Sequence, residues 1–113
     1  MADTKTADDL VYEVASILGK AVAGESLGQP EYETIDNKID GVLSRIAKIV
    51  YIGDRDEIPA ELFDNIALIV AAFAGSKFSN EKPDMAYVRS LEADLRYLVA
   101  DDPTYQVAAG NYF

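Results

Sequence analysis

The chemistry open to this chain is set first by two absences. Its 113 residues include no histidine and no cysteine. Zinc, haem and iron–sulfur centres thereby lose their usual ligands. Triads of the Ser-His-Asp or Cys-His kind are excluded, and no disulfide framework can form. Carboxylates remain. The adjacent pairs Asp8/Asp9 and Asp101/Asp102 have the residue type for acid–base work. In a chain of 20 acidic and 10 basic residues, neighbouring carboxylates are more simply expected to face solvent. Asp54-Arg55-Asp56 begins like a calcium loop and then fails, because Ile58 stands at the next ligand position and Pro59 follows. No GxxxxGK(S/T) or GxGxxG loop is present to cradle a phosphate. The expectation is a protein that is not an enzyme, with no catalytic residue, no cofactor and no metal.

Charge narrows the partners. The net charge is −10, and phosphate affinity comes from Lys and Arg, so this is a poor footprint for gripping DNA. It suits a soluble protein with a basic partner, or a surface that DNA slides past. The first ten residues, MADTKTADDL, are polar and acidic and lack the basic start and apolar run of a signal peptide. The longest apolar run, residues 66–75, is half of the about 20 residues a membrane span needs, so it reads as a buried helix, and no membrane partner is expected.

Helical spacing dominates the chain, and its length allows one domain with a modest core. A first segment over residues 7–18 places Leu10, Val11, Val14, Ile17 and Leu18 on one stripe, with Thr6 and Asp9 as a weak form of capping box. Gly19 or Gly24 can end it. A second segment over residues 30–49 starts with Pro30 and carries Ile35, Ile39, Val42, Leu43, Ile46, Ile49 and Val50. Gly41 within it would permit a close helix crossing. Val50, Tyr51 and Ile52 favour a short extended piece before the Gly53-Asp54 break. A third helix begins near Pro59 and carries Leu62, Phe63, Ile66, Leu68, Ile69, Val70 and Phe73. It has no polar residue from Ile66 to Ala74, which makes it the central helix or an inter-subunit element. Gly75-Ser76 weakens it and residues 78–83 break it. A fourth helix over residues 84–99 uses Met85, Val88, Leu91, Leu95 and Leu98, with Glu92 and Arg96 as an i,i+4 pair. The fold class is all-α: a small four-helix bundle over residues 1–100, followed by an extended tail over 101–113.

That tail, DDPTYQVAAGNYF, is not polar like an idle terminus. Pro103 stops the helix, yet Tyr105, Val107, Tyr112 and Phe113 follow. Such a segment should pack on its own bundle or on another chain.

Four stretches together resemble a known family. They are the helix over residues 9–19, the loop over 24–30, the unit VYIGDRDEIPAELFDNIALIVAAFAG, and the ending LRYLVADDPTYQVAAGNYF. The chain resembles the small head-to-tail adaptors of tailed bacteriophages, also called tail accessory, head-completion or packaged-DNA-stabilisation proteins. The segment Tyr51-Ile52-Gly53, Glu57-Ile58-Pro59, Phe63 and the ending Pro103-Thr104-Tyr105, Tyr112-Phe113 carry the resemblance, as packing patterns rather than catalytic ones. The resemblance implies a virion protein at the head–tail junction, made in the bacterial host cytoplasm. Its implied partners are the portal protein, neighbouring copies of itself in a ring, typically a dodecamer, and a downstream tail or nozzle protein. The ring extends the DNA channel and helps retain packaged DNA without binding it tightly. The implied docking residues, on the portal or a neighbouring subunit, are Pro103, Thr104, Tyr105, Val107, Tyr112 and Phe113. Tyr51, Ile52, Phe63 and Phe73 are core or inter-subunit residues. The alternative from the residues alone is a small acidic helical regulator or adaptor, non-viral, that binds one protein partner.

Overall fold

Thr6 starts the first helix. Its hydroxyl accepts the Asp9 amide and the Asp9 carboxylate accepts the Thr6 amide, both at 3.1 Å, so the capping box is complete rather than weak. Helix α1 (Ala7–Ile17) ends at Gly19, whose φ of +72° is the left-handed region glycine favours. The Gly19 amide bonds the Ser16 carbonyl and the Lys20 amide the Ala15 carbonyl, which together form a Schellman motif. The computed structural model describes residues 3–20 and 27–100. Gly24 and the tail over 101–113 lie outside the described residues, as do Asp101 and Asp102.

Helix α2 (Gln29–Arg45) takes Pro30 in its first turn. It stops four residues short of the expected end. At Ile46 the chain passes into a tight turn, with the Ala47 amide on Ser44 and the Ile49 amide on Ile46. This turn keeps Ile46 and Val50 buried, as the i,i+4 stripe of a continued helix would also have done. The short extended piece expected at residues 50–52 is not a strand. The ladder lies elsewhere. β1 (Thr4–Lys5) pairs antiparallel with β2 (Ile58–Pro59), Thr4 opposite Pro59 and Lys5 opposite Ile58. Pro59 therefore stands before helix α3 (Ala60–Ser79) as its N-cap, and the Ala60 amide bonds the Asp3 carbonyl.

α3 runs through Gly75 and Ser76 and ends where Asn80 turns left-handed at φ 56°. Its twenty residues are long and apolar enough to cross a membrane by composition alone. In this fold they form the centre of the bundle, packed against α1, α2 and the last helix, α4 (Met85–Ala100). Leu62, Ile66, Ala67, Ile69, Val70 and Ala74 have no exposed surface. Each fully buried Leu, Ile or Val contributes about 1.5–3 kcal/mol relative to exposure. The Asp84 carboxylate accepts the Tyr87 amide and so starts α4.

Four expectations about packing need correction. Ile17 and Leu98 are exposed, and Val99 takes the buried place assigned to Leu98. The core face of α4 runs through Val88, Leu91, Glu92, Leu95 and Val99, and one residue's 100° step carries Leu98 off it. Glu92 sits on that buried face, so its partner is Arg45 of α2 and not the exposed Arg96. Gly41 is not at a helix crossing. A Cβ built there would meet nothing within 4 Å, because Gly41 faces an open groove.

Candidate functional site

Of the described acidic residues singled out in the sequence, Asp9, Asp54 and Asp56 accept backbone amides. In the turn after Gly53, the Asp54 carboxylate accepts the Asp56 amide at 2.9 Å. The Asp56 carboxylate accepts the Ala7 amide at 3.1 Å, at the positive end of α1. Arg55 donates to Asp36 and to Asp40 of α2, the latter at 3.2 Å. The Asp54-Arg55-Asp56 sequence is thus a rigid turn tied to two helices. Asp8 and Asp9 diverge: Asp9 caps α1, and Asp8 accepts the Tyr32 hydroxyl at 2.7 Å. That bond, with burial and the Asp8 charge, pushes the Tyr32 phenol up to about 12. The Tyr32 ring also meets Tyr12 edge-on, with ring centroids 6.2 Å apart. Among the described residues no group of three His, Cys, Asp or Glu side chains is placed to hold a metal.

The four aromatic and aliphatic residues expected in the core or between subunits separate cleanly. Phe63 is core, and the Lys5 ammonium lies 4.6 Å from its ring centroid. Ile52 packs on the core from a half-buried position. Tyr51 is 77% exposed, and its ring lies over Gly53, where an added Cβ would come within 3.1 Å of it. Phe73 is half-buried, with the Arg45 guanidinium 5.8 Å from its ring centroid. The docking residues expected in the tail, Pro103, Thr104, Tyr105, Val107, Tyr112 and Phe113, lie outside the described residues.

Phe73 floors a groove that sequence reasoning missed. Two adjoining hollows of about 410 and 370 Å³ share Lys38 and Phe73. They run between α2 and the C-terminal half of α3. Lys38 comes from α2, Lys77 from the last turn of α3, and Lys82 from the loop before α4. None of the three forms an ion pair among the described residues. Glu81 sits on the rim, and Gly41 leaves the α2 wall open. The sequence signal was weak, since Lys77 reads as an ordinary last-turn cation, Lys82 stands just beyond it in a loop, and Lys38 lies far from both in the chain. The exposed large apolar side chains elsewhere are mostly tyrosines: Tyr12, Tyr87 and Tyr97, the last 75% exposed. Compared with protein-family models, with curated proteins and with solved structures, the chain finds no match in any of the three.

Proposed function

We propose that this chain is a structural virion protein, a head-to-tail adaptor that assembles as a ring beneath the portal of a tailed bacteriophage. The helical bundle is the ring body. The segment over residues 101–113 is the docking element, and the ring extends the DNA channel, retains packaged DNA and offers the tail a landing surface. The observation that carries this reading is the surface. Among the described residues its exposed large apolar side chains are mostly tyrosines, led by Tyr51 and Tyr97. Tyrosine is enriched at interface hot spots because it offers large contact area with a polar tip. The resemblance of the segment from Tyr51 to Phe63 adds the choice of partner.

Co-sedimentation with purified portal rings tests it. The full chain should pellet with the portal at a fixed stoichiometry. A chain that stays in the supernatant, and instead pulls one non-viral protein out of a mixture in equal amount, supports the regulator reading.

A further inference from the structure

Two surface features of opposite charge lie on opposite flanks of α2. One is the turn over residues 51–57, with exposed Tyr51 followed by Asp54, Asp56 and Glu57. Its single cation, Arg55, is neutralised by Asp36 and Asp40. The other is the groove of Lys38, Lys77 and Lys82 over Phe73. Asp36 and Asp40 face the turn, while Asn37, Lys38, Gly41 and Arg45 face the groove. Helix α2 therefore stands between the two, and a chain cannot place its own turn in its own groove.

We infer that the groove receives the 51–57 turn of a second copy, with the Tyr51 ring seated on Phe73 and the acidic turn facing the three lysines. The inference rests on the reading of the chain as a ring subunit and names the surfaces that would meet. The turn is held to α1 and α2 by the Asp56 and Arg55 bonds, so little ordering is needed on contact. Aromatic stacking supplies contact area and the opposed charges set register and approach. Because the two faces are different, the contact is head-to-tail, and a pair of copies keeps one free groove on one partner and one free turn on the other. A long nucleic acid is the poorer occupant. Beyond three lysines it would run over a surface of net charge −10, within the roughly 8 Å over which charges act at physiological salt.

Sedimentation of the full chain over a concentration series tests the contact, with circular dichroism to confirm that each variant folds. Tyr51→Ala and the pair Lys77→Glu/Lys82→Glu change exposed side chains. Each should weaken self-association by at least about tenfold. Adding Glu57→Lys to the lysine pair should restore much of it. An equal mixture of Tyr51→Ala and Lys77→Glu/Lys82→Glu chains should stop at a dimer, since only one intact turn and one intact groove can meet. Variants that assemble like the parent overturn the inference, as does a parent chain still monomeric at about 1 mM. So does a groove that binds a short oligonucleotide through Lys77 and Lys82 while self-association is unchanged. If these variants still pellet with the portal as the parent does, the adaptor reading survives and only this contact is lost.

Discussion

The Arg45 guanidinium grips the Glu92 carboxylate with two bonds, Nε to Oε2 at 2.8 Å and Nη2 to Oε1 at 3.3 Å. This pair ties α2 to α4 beside the Phe73 ring. The two partners are not equally buried: the Arg45 side chain is 35% exposed and that of Glu92 is 8%. Removing the arginine strands a carboxylate out of water, while removing the glutamate frees a guanidinium that water can reach. Arg45→Ala should therefore cost about 2–3 kcal/mol and Glu92→Ala about 1 kcal/mol, read as urea midpoints at constant slope. Equal losses would remove the asymmetry argument.

The central helix should be the most sensitive element. Ile66→Ala or Ile69→Ala empties a site with no exposed surface and should cost about 2–5 kcal/mol. Tyr51→Ala, at a side chain that is mostly exposed, should stay within about 0.5 kcal/mol of the parent. Thermal melts that rank them the other way would sink the assignment of α3 as the core.

Alkaline pH should loosen the contact between α1 and α2. Tyr32 holds its proton more tightly in the folded chain, at about 12, than at the ordinary value of 10.0, chiefly through its bond to Asp8. A raised folded value means the contribution is full below pH 10 and is lost as pH rises through about 12. Tyr32→Phe should remove this loss and cost no more than about 1 kcal/mol at neutral pH. An unchanged alkaline titration of stability in Tyr32→Phe would show that the bond contributes nothing.

Free duplex DNA should bind weakly or not at all at physiological salt, given the net charge of −10. The opposite result would need a basic face built from cations such as Arg45, Lys48, Arg55 and Lys77. In the fold, Arg45 is held by Glu92 and Arg55 by Asp36 and Asp40. A gel shift showing tight, salt-sensitive binding would contradict the channel reading.

Ending the chain at Ala100 should leave the helical signal and the melting temperature nearly unchanged and abolish portal pelleting. Tyr105→Ala and Phe113→Ala should each weaken pelleting by about 2 kcal/mol. Early melting with intact pelleting would instead show a tail folded back on its own bundle.

The sequence by itself determined the helices. Spacing by threes and fours put Leu10, Val14, Ile35, Ile39, Ile66, Val70, Val88 and Leu95 on their buried faces, because amphipathic period is a local property. Thr6, Gly19 and Pro30 marked ends that local backbone chemistry dictates. The tertiary structure decided what depends on residues far apart in the chain. The β1–β2 ladder joins positions 4–5 to 58–59, and two-residue strands leave no period to read. The partner of Glu92 lies 47 residues away on α2, nearer in space than the i+4 arginine because Glu92 faces inward. The cationic groove exists only because α2 lies across α3 and brings Lys38 to Lys77 and Lys82 over Phe73. A charge that reads as a solvated surface residue in one helix becomes part of a surface feature only when packing sets its neighbours.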